Sequence, residues 1–189
     1  MHGEGLRVVE GDARLLPLTA DSVDFLYSFA TLEHVPEVER AFAEIERVMK
    51  PGGVALLCPA WNCRPWTVKK LQQRPYSELS PGERVGKILI PLRENIGFRM
   101  ITALPRRAWR ELKLLGGGPV RLDYRKLFPR FDLWETYPHI SDDDAFVSID
   151  AHSALTFFRS RGWSLISHPT LLHRLGCRGG EILVRKPLF

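Results

Sequence analysis

The stretch that most constrains the fold covers residues 6–59, where short apolar runs alternate with turn residues and one amphipathic segment. Residues 6–10, 24–29 and 54–58 have the length and the β-branched or apolar composition of strands. Near-continuous apolar runs are typical of strands that helices cover on both faces, as in a parallel sheet. The stretch therefore predicts an α/β fold with a mostly parallel sheet and helices on both faces.

A helix is predicted between the second and third apolar runs. Pro36 suits a first helical turn, where the missing N–H costs nothing. Apolar residues then recur at steps of four and three and define one buried face: Val38, Phe42, Ile45 and Met49. The sequence PGG at residues 51–53 is expected to end this helix.

Four short segments in this stretch occur in a specific order and spacing. They read EGDARLLPL (residues 10–18), DSVD (21–24), LEHV (32–35) and EIERVMKPGG (44–53). Together they closely resemble the second half of a class I S-adenosylmethionine-dependent methyltransferase domain of the methyltransferase type 11 kind. The resemblance covers about sixty residues well and the last forty more loosely. It implies a Rossmann-like sheet, a methyl-transfer reaction and S-adenosylmethionine as the cofactor.

The resemblance also implies an N-terminally incomplete domain. In that family an earlier strand leads into a glycine-rich loop for the cofactor's methionine end, and the next strand ends in an acid for the ribose. Neither feature occurs in the sequence. Without those strands, the expected sheet has unpaired edges that invite a partner chain. The hypothesis is a truncated product or gene model of a longer enzyme, or a relic that has lost cofactor binding.

The resemblance assigns four residues to the cofactor. Asp12 would accept a hydrogen bond from the adenine amino group, and the backbone N–H of Ala13 would meet the ring. Phe29 and Ala30 follow a strand where the family's backbone lies close to the cofactor. The alternative for Asp12, that it caps a turn, stays open.

His34 is the candidate catalytic base, because it follows the same strand beside Glu33 and an imidazole titrates near neutral pH. A structural histidine hydrogen-bonded to the helix start is the alternative. No metal site is expected, because the three cysteines, Cys58, Cys63 and Cys177, include no Cys-x-x-Cys pair. The acidic run at residues 142–144 is expected to be a solvated turn.

Positive charge is concentrated in the middle of the chain. Residues 64–130 contain sixteen basic and five acidic residues, a net charge of +11, against −5 for residues 1–63 and −1 for residues 131–189. We expect three parts: the methyltransferase-like core in 1–63, a basic helical insertion or substrate cap in 64–147, and the last helix with antiparallel closing strands in 148–189. Residues 88, 89, 92 and 96 are expected to share one helix face.

The last helix is expected to be capped by Asp150 and to end at Gly162 in a left-handed conformation. Its predicted apolar face contains Ala151, Ala154, Leu155 and Phe158.

Three interpretations of the basic segment remain open. It forms a cap with solvated arginines, a cap that attracts an anionic substrate, or a surface for a membrane or nucleic acid, although no nucleic-acid module is recognisable. No apolar run reaches the length of a bilayer span, and a cytoplasmic location is the default expectation. The expected function is methyl transfer to a small, anionic or lipid-linked acceptor. The alternatives are a non-catalytic methyltransferase-like binding module and a peripheral membrane or polyanion binder.

Overall fold

The computed structural model describes residues 8–188, which form two sheets and seven α-helices within that range. The strands are β1 (Val23–Phe29), β2 (Met49–Cys58), β3 (Tyr124–Lys126), β4 (Val147–Ile149), β5 (Ser164–Leu165) and β6 (Ile182–Arg185). The helices are α1 (Val38–Val48), α2 (Pro65–Val68), α3 (Pro81–Ile88), α4 (Ile90–Glu94), α5 (Ile96–Leu115), α6 (Ala151–Arg159) and α7 (Leu171–Leu175).

The main sheet has the strand order β1-β2-β6-β5. β1 and β2 are parallel, whereas β6 runs antiparallel to both β2 and β5. The α/β class and the antiparallel closing strands are confirmed. Parallel pairing is limited to β1 and β2 among the described strands, so the sheet is mixed rather than mostly parallel. β3 and β4 form a separate antiparallel pair.

The strand expected at residues 6–10 is not present where the structure describes it. Leu6 and Arg7 lie outside the described residues, and Val8, Val9 and Glu10 are irregular. Val8 is 87% exposed. A strand needs a neighbour for its backbone hydrogen bonds, and none of the described strands lies beside this segment.

Helices α1 and α6 cover one face of the main sheet. Phe42 of α1 is fully buried and packs edge-on against Phe157 of α6, with ring centroids 5.4 Å apart. The same cluster contains Ala55 and Val184 from the central strands. Both predicted helix faces are buried, with Val38, Phe42 and Ile45 in α1 and Ala151, Ala154, Leu155 and Phe158 in α6. Met49, expected on the first face, is buried but begins β2, and residues 51–53, expected to end the helix, lie inside that strand.

The opposite face of the sheet is open at β1. Phe25, Tyr27 and Phe29 alternate along that strand and are 58%, 57% and 63% exposed. Helices on both faces are therefore not found in the described part of the chain. The run at residues 24–29 is near-continuously apolar, as described above. The helix α5 nevertheless packs on α6 and α7 and not on this face of β1.

The basic segment is helical from α2 to α5, but its expected apolar face does not form. Ile88, Leu92 and Ile96 fall in three different helices and are exposed. Ile90 is the buried residue of this region and contacts Leu71. The chain breaks into short helices around residues 88–96, so a single helical period does not run through them. No helix in residues 8–188 is long and apolar enough to cross a membrane.

Candidate active site

The carboxyl ends of the two parallel strands meet at one edge of the sheet. Phe29 is the last residue of β1 and pairs with Cys58, the last residue of β2. The Ala30 N–H donates a hydrogen bond to the Cys58 carbonyl at 3.0 Å, and Ala30 itself adopts φ of 45°. This edge is where ligands bind in open α/β sheets.

The turn around Asp12 is held by an ion pair that the sequence did not predict. The Arg14 guanidinium donates to both Asp12 carboxylate oxygens, and the closest contact is 2.6 Å. The same arginine lowers the pKa of the exposed Asp12 carboxyl to about 2, chiefly through these hydrogen bonds. Arg14 also approaches Glu37 at 3.9 Å. The Asp12 turn and the start of α1 are thereby joined, and Ala13 packs against the core.

Two charged residues of α1 fix the segment that follows Asp12. Glu44 accepts a hydrogen bond from the Leu16 N–H at 2.8 Å, and Arg47 donates to the Leu18 carbonyl at 2.8 Å. Glu44 and Arg47 also pair with each other, which lowers the pKa of the Glu44 carboxyl. The two side chains therefore anchor the loop between residues 12 and 18 on α1.

His34 lies between two carboxylates. Its Nε2 is 3.7 Å from Glu33 Oε1, and its Nδ1 is 3.5 Å from Asp144 Oδ1. These separations are too long for direct hydrogen bonds, and the attraction is electrostatic. Glu33 is only 1% exposed, and its Oε2 has no hydrogen-bond partner among the described residues. An unsatisfied buried carboxylate is costly and is typical of functional sites.

Asp144 belongs to the acidic run that was expected to be a solvated turn. The run does form a turn, but Asp143 is buried and makes an ion pair with the buried Lys70. Next to it, the Phe146 N–H donates to the Glu33 carbonyl at 2.9 Å. These contacts bring Asp144 to His34. The expectation of solvation is therefore wrong for Asp143. Its burial could not be predicted locally, because its partner Lys70 lies 73 residues away in sequence.

An open cavity of about 630 Å³ begins where the loop after β2 ends. Asn62, Cys63 and Arg64 from that loop form one wall, and α5 forms another. Burial and the nearby carboxylates of Asp142, Glu33 and Asp144 raise the pKa of the Cys63 thiol to about 12. Cys63 is thus an unreactive thiol that stands between the His34 cluster and the cavity.

Neither the position of Asp144 beside His34 nor the cavity was predicted from the sequence. Asp144 is 110 residues beyond His34, and no local pattern links the two. The excess of arginine in residues 64–130 was the one available signal for the cavity. In the part of the chain that the structure describes, no group of three or more His, Cys, Asp or Glu side chains is arranged to hold a metal ion.

Comparison with known proteins finds similarity to methyltransferases in the first third of the chain. Residues 1–57 match the family model described as a methyltransferase domain. The chain is 39% identical to a sterol 24-C-methyltransferase of Gibberella zeae over 49 residues, which is 26% of this chain and 13% of that protein. It is 42% identical to 2-methyl-6-phytyl-1,4-hydroquinone methyltransferase 1 of Oryza sativa subsp. japonica over 53 residues, 28% of this chain and 16% of that protein.

A third relative is the malonyl-[acyl-carrier protein] O-methyltransferase of Methylococcus capsulatus, which is 40% identical over 50 residues, 26% of this chain and 18% of that protein. The chain thus matches less than a fifth of the length of each of these three relatives. Among solved structures, an S-adenosylmethionine-dependent methyltransferase from Mesorhizobium loti aligns with 93% of this chain and 67% of its own, at 14% identity and a TM-score of 0.40.

The family model thus matches residues 1–57, and the resemblance predicted from the sequence is confirmed for that segment. S-adenosylmethionine is the cofactor of this class, as the resemblance implied. The matched segment ends at Leu57, one residue before the end of β2. The Asp12 turn, β1, His34 and α1 all fall inside it.

Proposed function

We propose that this chain contributes the adenine and acceptor sides of an S-adenosylmethionine-dependent methyltransferase that acts on a small, anionic or lipid-linked acceptor. The observation that carries the proposal is the methyltransferase-domain match over residues 1–57, which includes both the Asp12 turn and His34. The chain's acceptor specificity would come from the residues after β2, which lie outside that match.

The residues present fit the adenine end of the cofactor. Each Asp12 oxygen already accepts two N–H bonds from Arg14, one of them from the Arg14 backbone, so an adenine amino group would replace one of the guanidinium contacts. The Asp12 side chain is 48% exposed and Phe29 offers a 63% exposed ring, so both are accessible to an adenine. Asp12, Ala13, Phe29 and Ala30 would hold this end.

His34 would act as the general base. S-adenosylmethionine, when bound, supplies a methyl group on a sulfonium, and the sulfur keeps the bonding electron pair when the methyl group leaves. His34 would take the proton that the acceptor releases. Its imidazole is only half-buried at the strand edge, so an acceptor can reach it. Glu33 and Asp144 would stabilise the imidazolium that results.

The acceptor class is supported by the charge of the cavity and by the relatives. The cavity wall is rich in arginine and also contains Trp66 and Phe98. The relatives' names refer to a sterol, a phytyl hydroquinone and malonyl-[acyl-carrier protein]. An amphiphile with an acidic group would suit both wall types.

Calorimetric titration with S-adenosylmethionine tests the proposal. Asp12→Ala should weaken binding about tenfold or more, the effect of losing a charge-assisted hydrogen bond. Asp132→Ala is a matched control, because Asp132 makes the same two-residue ion pair, with Arg130, and is not among the residues proposed to hold the cofactor. A folded chain that binds no cofactor, or equal losses in both variants, would contradict the proposal.

A second candidate function is binding of a partner chain at β1. The exposed stripe of Phe25, Tyr27 and Phe29 and the edge position of β1 favour it, because exposed apolar edge strands readily pair. Light scattering tests it. A Tyr27→Lys variant should be more monomeric than the parent chain, and a parent chain that is fully monomeric at high concentration would remove this candidate's support.

A further inference from the structure

The cavity beside Asn62 is lined by seven arginines and by no aspartate or glutamate. Two of the seven arginines form ion pairs with carboxylates that do not line the cavity. Arg64 pairs with Glu94 at 2.9 Å, and the buried Arg107 pairs with Asp150 at 3.3 Å. These two arginines are part of the fold.

The other five arginines have no carboxylate within 4.0 Å among the described residues. They are Arg93, Arg99, Arg106, Arg125 and Arg178. Most arginines elsewhere in residues 8–188 do have such a partner, and the exceptions outside the cavity are Arg84, Arg121 and Arg185. Unpaired positive charge is therefore concentrated on one concave surface, where it raises the local concentration of anions.

The five guanidinium groups come from separate parts of the chain. Arg99 and Arg106 are seven residues apart on α5 and so lie on one side of that helix. Arg125 comes from β3, and Arg178 from the loop between α7 and β6. Convergence from distant elements is what distinguishes a binding site from a charged helix face.

Another part of the cavity wall is apolar. Trp66, Ile96, Phe98 and Met100 line it next to the arginines. A volume of about 630 Å³ suits a ligand of drug-like or cofactor-like size. The ligand should therefore combine an anionic group with an apolar part.

The amount of unpaired charge favours a phosphate over a carboxylate. A carboxylate brings one negative charge and two oxygens, whereas a phosphate monoester brings nearly two charges and three oxygens, and a diphosphate brings more. Arginine is also well suited to bidentate contacts with phosphate. Five guanidinium groups are more than one carboxylate can engage.

We propose that this cavity binds a phosphorylated or diphosphorylated amphiphile, with the phosphate oxygens against Arg99, Arg106, Arg125 and Arg178 and the apolar part against Trp66 and Phe98. Cys63 lines the cavity and follows β2, whose carboxyl end pairs with that of β1, and His34 follows β1, so the cavity opens from the same edge of the sheet. As an acceptor assignment the inference rests on the proposed methyltransferase function. Phosphate binding itself does not depend on that function.

Calorimetry without S-adenosylmethionine tests the inference. The full chain is titrated with octyl phosphate, with pyrophosphate and with octanoate at 0.15 M salt, where weak surface attraction is screened. Octyl phosphate should bind at least about tenfold more tightly than octanoate, as expected for additional charge-assisted hydrogen bonds. An Arg99→Gln/Arg106→Gln variant should weaken octyl phosphate by about tenfold or more.

The matched control is Arg121→Gln/Arg185→Gln, which removes the same charge from two exposed arginines outside the cavity. It should change affinity by less than about twofold, since exposed charges at a distance are screened. Thermal melting checks that both variants fold. Equal losses in the two variants, octanoate binding as tight as octyl phosphate, or binding only to phosphatidic acid vesicles or single-stranded RNA would each overturn the inference. Loss of cofactor binding with retained octyl phosphate binding would contradict the methyltransferase assignment alone.

Discussion

At the scale of single residues, the molecule buries several charged groups and satisfies most of them through partners distant in sequence. Lys70 and Asp143 form a fully buried ion pair, and Lys70 also donates to the Pro138 carbonyl at 3.3 Å. Glu111 is surrounded by Arg159, Arg174 and His152. Such pairs fix which elements meet, because breaking one partner leaves a buried charge uncompensated.

Replacing Lys70 with methionine should destabilise the fold by about 3 to 5 kcal/mol, because the Asp143 carboxylate would remain buried without its partner. Urea unfolding measures the change. The Lys70→Met/Asp143→Leu double variant should recover much of the loss, since it removes both charges. If the single variant is as stable as the parent, the ion pair does not form as described.

The stability of the chain should fall as the pH drops from 6.5 towards 4. Burial of His152, together with the positive charges of Arg110 and Arg107, lowers the pKa of its imidazole from 6.5 to about 4, although the carboxylates of Asp150 and Glu111 act in the opposite direction. In this pH window the unfolded chain binds a proton at this histidine and the folded chain does not, so unfolding becomes more favourable, by at most about 3 kcal/mol.

Thermal melting at pH 7 and pH 5 measures this dependence, and His152→Gln should flatten it. His168, whose pKa burial also lowers, contributes in the same direction and remains in the variant. The lowered pKa values of the Glu111 and Asp150 carboxyls act at lower pH, where these groups protonate. A parent chain that is equally stable at both pH values would contradict this account of His152.

Replacing His34 with glutamine should reduce methyl transfer about 100-fold or more while leaving cofactor affinity unchanged, because a general base contributes that much to the rate. The matched control is His173→Gln, since His173 is exposed on α7. The transfer rate and the calorimetric affinity for the cofactor are the measurements, and only the rate should fall in the His34 variant. An unchanged rate would assign His34 a structural role.

At the scale of elements, α1 connects the core to the candidate site. Its apolar face packs on the sheet through Phe42, while Glu44 and Arg47 hold the loop that follows Asp12. One helix therefore positions both the Asp12 turn and, at its start, His34. The α1 helix was predictable, because its periodicity is local. The loop contacts were not, because they join residues about 30 apart.

Arg47→Ala should release the loop without unfolding the sheet. Arg47 donates to the carbonyls of Leu16 and Leu18 and pairs with Glu44, and losing these hydrogen bonds of a charged group should cost about 1 to 3 kcal/mol. Hydrogen exchange should speed up in residues 12–18 and stay slow in β2. Arg40→Ala is the control, since Arg40 pairs with Glu37 on the exposed side of α1. Equal effects of the two changes would contradict the anchoring role of Arg47.

At the scale of the whole molecule, the sequence predicted what depends on short-range patterns. The faces of α1 and α6, the cap at Asp150 and the closing strands follow from periodicity and from local hydrogen bonding, and all are found. The left-handed Gly162 after α6 is also found, with φ of 81°. The helix faces and caps arise from residues fewer than about ten positions apart, whereas the closing strands pair residues about twenty positions apart and were expected from the family resemblance.

The features that define the candidate site depend on contacts between distant parts of the chain. Asp144 reaches His34 because β4 lies beside the turn at residues 32–34, and the unpaired arginines converge because α5, β3 and the loop after α7 meet. A net charge of +11 in residues 64–130 indicated an anion but could not indicate where the arginines meet. The open face at β1 likewise depends on which helices pack there.

The central claim is that the Asp12 turn and the end of β1 together form the adenosine site of a methyltransferase. Hydrogen exchange of the full chain with and without S-adenosylhomocysteine tests it most directly. We expect added protection in residues 12–15 and 29–34, with β5 and α7 unchanged. Protection that is absent from both segments of a folded, cofactor-bound chain would contradict the claim.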